Sequence, residues 1–68
     1  MEFKSGMLAI FRNGEQALIY RADISNETVT IWFDRAVTGF SGKSRSWSYK
    51  LDGKWIRGGN DIVKTLEV

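Results

Sequence analysis

The sequence predicts an all-β fold: a small, strongly bent antiparallel sheet or barrel of five to six strands, SH3-like or OB-like. Its 68 residues contain no proline and no stretch with the apolar periodicity of a long helix. Runs rich in β-branched and aromatic residues recur instead, with a turn about every ten residues. The dipeptides Asn13-Gly14 and Asp52-Gly53 each lie between apolar runs and are typical of tight hairpin turns.

The composition suits one domain spanning residues 1–68. Hydrophobic residues make up 43% and charged residues 26%, which is close to the average of folded domains and excludes a disordered chain. With no cysteine there is no disulfide framework, so a domain of this size depends on tight packing or on oligomerisation. The N-terminus matches neither a signal peptide nor a membrane span, and we expect a cytoplasmic protein that contacts no membrane.

Two-residue turns predict the register of the first three strands. A turn at Asn13-Gly14 places Ala9 opposite Leu18. A turn at Ser25-Asn26 then places Leu18 opposite Phe33. Both turns put the same apolar side chains on one face, which we expect to be the core: Met7, Ala9, Phe11, Leu18, Tyr20, Ala22, Val29, Ile31 and Phe33.

The opposite face of these strands carries a second apolar patch that needs a cover. Either the C-terminal strands close over it or a second subunit does. We predict a partner or dimer interface there, and we interpret its tryptophan as a packing or contact residue rather than as a ligand-stacking one. The interface residues are Leu8, Ile10, Ile19 and Trp32.

Residues 38–42 are predicted to be a loop that connects the third strand to a second hairpin. Gly42-Lys43-Ser44 matches the end of a phosphate-binding loop, but Val37 stands where the first glycine is required and a strand pattern follows. We therefore expect no nucleotide-hydrolysing site. The final segment, NDIVKTLEV, favours a short strand, with a helical turn capped by Asn60 or Asp61 as the alternative.

The net charge of +2 conceals an uneven distribution. Residues 35–58 carry six cationic side chains against one carboxylate, Asp52, whereas the rest of the chain is acidic. A two-residue turn at Asp52-Gly53 pairs Lys50 with Trp55. The core side of this hairpin would carry Trp47, Tyr49, Leu51 and Ile56, and its outer side Ser46, Ser48, Lys50, Trp55 and Arg57.

An exposed tryptophan between cations and hydroxyls predicts nucleic-acid binding, because bases stack on aromatic rings while Lys and Arg neutralise phosphates. We expect a weakly sequence-selective protein, with single strands favoured as ligand. The alternative for Trp55 is that it caps the core, the cations then being ordinary solvated residues. The predicted nucleic-acid-binding residues are Lys43, Arg45, Lys50, Lys54, Trp55 and Arg57.

The second functional hypothesis is a protein-interaction module, or a small accessory or inhibitor protein. It would act through the apolar sheet face or lend a sheet edge, and a homodimer is one form of it. The chain has no histidine and no cysteine, and its eight carboxylates are dispersed. We therefore predict no catalytic residues, no metal site, no cofactor and no enzymatic activity.

Overall fold

The computed structural model describes residues 1–39 and 42–68 of the chain. Five antiparallel strands form one sheet: β1 (Leu8–Phe11), β2 (Gln16–Ser25), β3 (Thr28–Gly39), β4 (Gly42–Lys50) and β5 (Ile62–Leu66). These described residues include no helix, and so none long and apolar enough to cross a membrane. The predicted all-β class is confirmed.

The strand order is β4-β3-β2-β1-β5, so the first four strands form a meander and β5 returns to the free edge of β1. The segment between β4 and β5 bends back across the open end. Its Trp55 bridges Tyr49 of β4, and the Gly53 carbonyl accepts the amide of Ile62 at 2.8 Å. These contacts give the sheet its barrel-like curvature. The strand prediction for the last segment is correct, and its helical alternative is wrong.

The Asn-Gly and Asp-Gly loops are three residues long, not two. The amide of Gly14 bonds the carbonyl of Phe11, and the amide of Phe11 bonds the carbonyl of Glu15. Asn13 Oδ1 also accepts the Glu15 amide, at 2.8 Å, and only the glycine has positive φ. Such a loop is a turn followed by a left-handed glycine, the common three-residue hairpin connection.

The loop at Asp52-Gly53 repeats this pattern bond for bond. The amide of Gly53 bonds the carbonyl of Lys50, and the amide of Lys50 bonds the carbonyl of Lys54. Asp52 Oδ1 accepts the Lys54 amide at 3.0 Å. Each extra loop residue shifts the register by one, and this turns the following segment over. Residues 54–57 also form only an isolated bridge with β4, where a paired strand was predicted.

A bulge at Tyr20 divides β2 into two halves. Ile19 pairs with Phe33 and Arg21 pairs with Trp32, so Tyr20 is the unpaired extra residue. The turn between β2 and β3 lies at Asn26-Glu27, and the predicted position, Ser25-Asn26, is wrong. That error moves the pairing by an even number of residues, so the inward side of β3 is as predicted.

The core lies inside the bend and is closed by aromatic residues. Phe11 and Phe33 meet edge to face at 5.3 Å, and Trp47 and Trp55 do so at 4.8 Å. Four residues predicted in the core are exposed instead: Leu18, Tyr20, Leu51 and Ile56. The loop shifts turn Leu18 and Ile56 outward, the bulge exposes Tyr20, and Leu51 lies in the loop itself. The buried set is Phe3, Met7, Ala9, Phe11, Ala17, Ile19, Val29, Ile31, Phe33, Val37, Tyr49, Trp55 and Ile62.

The predicted connecting loop at residues 38–42 is mostly strand. β3 and β4 pair as far as Gly39 and Gly42, with Thr38 opposite Lys43. Two residues of that loop, Phe40 and Ser41, lie outside the described residues. The Gly-Lys-Ser tripeptide therefore begins an antiparallel strand.

Candidate nucleic-acid interface

Where residues 21–25 of β2 pair with β3, and β3 in turn with β4, the outer surface is polar except for one tryptophan. Because side chains alternate along each strand, residues that pair across the strands form rows on this surface. The central row contains Thr30 and Ser48, whose hydroxyl oxygens lie 3.2 Å apart. The rows are Arg21–Trp32–Ser46, Asp23–Thr30–Ser48 and Ser25–Thr28–Lys50.

Trp32 is half-buried on this surface and is held from one side by Arg21. The guanidinium carbon of Arg21 lies 5.0 Å from the centre of the indole ring. Asp23 fixes that guanidinium through both carboxylate oxygens, at 3.2 Å to Nε and 3.0 Å to Nη2. A cation–π contact with an orienting carboxylate restrains the indole, so Trp32 is preorganised as a flat surface.

A groove of about 350 Å³ lies beside Trp32 and is named here the Trp32 groove. Its other walls are Tyr20, Phe33, Asp34 and Arg45. Arg45 is the single β4 residue between the pairs Trp32–Ser46 and Val37–Ser44, where β3 has four residues. This irregularity in the ladder gives Arg45 its place in the groove. Tyr20 enters the groove because the β2 bulge leaves it outside the ladder, 73% exposed.

A second groove, of about 320 Å³, adjoins the first across the Trp32–Ser46 pair and is named here the serine groove. Hydroxyls of Thr30, Ser46 and Ser48 line one side of it, and Arg57 lines the other. Its remaining lining residues are Trp47, Trp55 and Ile56. The two grooves together are named here the tract. Trp32 lines the first groove, its pair partner Ser46 lines the second, and each groove is lined by aromatic side chains and one arginine.

Five of the six predicted nucleic-acid-binding residues are exposed cations close to this tract. Lys50 and Lys54 lie together at one end of β4, since the Lys50 amide bonds the Lys54 carbonyl at 2.7 Å. Lys43 lies near the other end of β4, and Arg45 and Arg57 line the grooves. Within residues 1–39 and 42–68, none of the five has a carboxylate within 4.0 Å. Their charges are therefore available to an anionic ligand.

Trp55, the sixth predicted residue, is placed differently from the prediction. The three-residue loop sets it opposite Tyr49, and its side chain is only 6% exposed. Its backbone amide donates to Asp61 Oδ1 at 2.9 Å, and Asp61 Oδ2 also binds the Arg12 guanidinium at 2.8 Å. Trp55 thus caps the core and lines part of the serine groove. The prediction that it is an exposed stacking surface is wrong.

The four residues of the predicted partner interface do not lie together on one surface. Leu8 and Ile10 are half-buried on the outer side of β1, but Ile19 is 2% exposed and belongs to the core. Trp32 lies on the other half of the sheet, beside Arg21. Instead, Leu66, Leu8 and Leu18 pair across β5, β1 and β2 and form a leucine row on the outer face.

The outer edge of β4 is poorly suited to adding a partner strand. The hydroxyl of Ser44 accepts the Ser46 amide at 3.3 Å and donates to the Ser46 carbonyl at 3.2 Å. Farther along, the amides of Lys50 and Ile56 pair β4 with the segment that follows it. A strand edge whose amides and carbonyls are already bonded offers little to an incoming chain.

Sequence reasoning missed Tyr20, Asp34 and Arg21 as candidate site residues. Tyr20 was expected in the core, and nothing in its local pattern reveals the bulge that exposes it. Arg21 and Asp34 could have been found once Trp32 was placed on the polar side of β3, because both are its neighbours on that surface.

Comparison with known proteins gives no match: no family model fits the chain, and no curated protein or solved structure is similar to it. The geometry of the tract is therefore the guide to its function.

Proposed function

We propose that this protein binds single-stranded nucleic acid along the tract formed by the Trp32 groove and the serine groove. The observation that carries the proposal is the position of Trp32. It is an outward-facing, restrained indole that lines one groove and pairs with Ser46, which lines the other. Both grooves are bordered by cations without ion-pair partners in the described part of the chain. Small β-sheet proteins bind single strands with this combination of stacking surface and basic groove.

The chemistry divides among the residues of the tract. Trp32 and Tyr20 offer aromatic surface on which an unpaired base stacks, at about 1–3 kcal/mol per base. Arg45 and Arg57 neutralise phosphates, and Ser46 and Ser48 donate hydroxyl hydrogen bonds to phosphate oxygens. Lys43, Lys50 and Lys54 extend the positive surface in both directions along β4.

A single strand fits this surface better than a duplex. Stacking on Trp32 requires an unpaired base, which a duplex keeps between its neighbours. Reading base edges in the major groove requires an inserted helix or a two-stranded ribbon. The tract is instead a curved sheet face with shallow grooves of about 320 and 350 Å³. Phosphate contacts then dominate the affinity, and the selectivity along most of the strand is weak.

The test measures the fluorescence anisotropy of labelled oligonucleotides, single-stranded and duplex, at low and moderate salt. We expect single strands to bind more tightly and their affinity to fall as salt rises. The Trp32→Ala variant should bind about 5- to 150-fold more weakly, which corresponds to one lost stacked base. The Arg45→Ala and Arg57→Ala variants should each weaken binding and flatten the salt dependence.

Lys64→Ala is the matched control, because it removes one exposed cation from β5, in the other half of the sheet. It should leave the affinity nearly unchanged. Two results would overturn the proposal: no binding of any oligonucleotide at low salt, or a loss in Lys64→Ala as large as that in Arg45→Ala. The second result would mean that net charge, rather than the tract, governs binding.

The leucine row supports a second candidate function, self-association through the outer face of β5, β1 and β2. Leu18 and Leu66 are about 40% exposed on either side of half-buried Leu8. Three leucines cover far less than the roughly 800 Å² per partner of a standard interface, so the contact would be weak and dependent on concentration. Sedimentation over a concentration series tests it, with exposed Leu18→Glu as the disrupting variant. A monomer at all concentrations would exclude it.

A further inference from the structure

The Trp32 groove contains one carboxylate, Asp34, among its aromatic and basic walls. Asp34 Oδ1 accepts the backbone amide of Leu18 at 3.2 Å, which fixes the side chain against β2. In the part of the chain that the structure describes, no cation lies within 4.0 Å of this carboxylate. An ionised carboxylate only accepts hydrogen bonds and has about four lone-pair sites, so Asp34 keeps most of its accepting capacity.

A carboxylate in a phosphate-binding groove weakens binding by repulsion unless it meets a hydrogen-bond donor. In a single strand, the donors that differ from one nucleotide to the next are those on the Watson–Crick edges of the bases. Guanine presents two adjacent donors, N1–H and N2–H, which match the two oxygens of a carboxylate. Cytosine and adenine present one amino group each. Uracil and thymine present one imino N–H between two carbonyl oxygens, which a carboxylate repels.

We propose that the Trp32 groove selects guanine, whose N1–H and N2–H donate to Asp34 while its ring stacks on the aromatic wall of the groove. Arg45 binds the phosphate of the same nucleotide. This inference rests on the proposed nucleic-acid function and adds to it a base preference at one position of an otherwise weakly selective site. Arg21 and Arg45, both near Trp32, disfavour a cationic occupant of the groove.

The test compares short oligouridines that carry guanosine, inosine or uridine at one central position. Inosine keeps N1–H but lacks the amino group, so it removes one of the two donors. We expect guanosine to bind about 5- to 100-fold more tightly than uridine, as bidentate base recognition does elsewhere, with inosine in between. Anisotropy at moderate salt measures the three affinities.

Asp34→Asn is the informative variant. Its amide oxygen can still accept the Leu18 amide, but the negative charge and the second acceptor are lost. We expect it to bind guanosine and uridine alike. Glu67→Gln is the charge-matched control, since Glu67 is an exposed carboxylate that lines neither the Trp32 groove nor the serine groove. It should preserve the preference for guanosine.

The outcomes separate the two proposals. Equal binding of the guanosine and uridine oligonucleotides, or a preference that survives Asp34→Asn, overturns the guanine assignment and leaves the nucleic-acid function standing. No binding of any of them at low salt overturns both.

Discussion

Gly14 and Gly53 offer a matched test of how closely the Asp52-Gly53 loop packs against β5. Both end three-residue loops with the same backbone bonds, and their φ angles are nearly equal, 89° and 94°. A Cβ at Gly14 would have no heavy atom within 4 Å, whereas a Cβ at Gly53 would overlap the carbonyl oxygen of Ile62. The destabilisation caused by alanine should therefore differ between the two positions mainly because Gly53 contacts Ile62 at the start of β5.

The expected losses reflect this difference. Gly14→Ala incurs only the cost of a side chain at positive φ, about 1–2 kcal/mol. Gly53→Ala incurs the same cost and adds about 1–3 kcal/mol for overpacking against the backbone. It also strains the 2.8 Å bond from the Ile62 amide to the Gly53 carbonyl, worth about 1 kcal/mol. We expect total losses of about 1–2 kcal/mol for Gly14→Ala and about 3–6 kcal/mol for Gly53→Ala.

Urea unfolding followed by tryptophan fluorescence measures both losses, with wild type as the reference and linear extrapolation to water. Trp55 is a suitable reporter because it follows the Asp52-Gly53 loop and is buried in the core. Equal losses for the two variants would refute the reasoning, since Gly53 is buried against Ile62 whereas Gly14 is exposed with no neighbour near its Cβ position. A changed denaturant slope in Gly53→Ala would indicate that closure fails as a separate step.

Three further predictions concern the core and its polar support. Trp55→Ala should lower the free energy of unfolding by about 3–5 kcal/mol in urea titrations, and Trp32→Ala by clearly less, because only Trp55 is buried in the core. Asp61→Ala should cost about 2 kcal/mol or more, because the Trp55 amide and the Arg12 guanidinium lose their acceptor, while Asp61→Asn recovers part of the loss. Burial, with Asp61 and Glu15 nearby, raises the pKa of Tyr49 above its usual value near 10. The unfolding free energy should therefore fall as pH rises above 10, where only the unfolded chain loses the phenol proton, and fall less in Tyr49→Phe.

Strand content was predictable because it depends on local composition. The β-branched and aromatic runs and the absence of proline describe strands wherever they pair. The outward position of the five cations was predictable for a similar reason, since unpaired Lys and Arg are seldom buried in any register. Neither inference required knowing which residues face each other.

The strand register was not predictable, because the same dipeptide is compatible with a two-residue loop and with a three-residue loop. Asn-Gly suits a two-residue turn with both residues at positive φ and also a three-residue loop with only glycine there. The bonds from Asn13 Oδ1 and Asp52 Oδ1 to the amides two residues on accompany the longer form in this chain. The two loops differ in length by one residue, and this difference moves the side chains of the following segment to the other face of the sheet. That single ambiguity accounts for the misplacement of both Ile19 and Trp55.

The two tryptophans differ in how much sequence determines their side of the sheet. Trp32 lies in TVTIWFD, where Val29, Ile31 and Phe33 alternate with polar residues and Trp32 falls on the polar side. The alternation of its flanking residues places Trp32 on the outer side, whichever length the preceding turn has. Trp55 lies in DGKWIRGG, which has no alternation, so only the loop determines its orientation. A tryptophan that shares the polar side of a strand with Thr30 and Asp34 is thus the stronger sign of a binding surface, and Trp32 is where binding should be tested first.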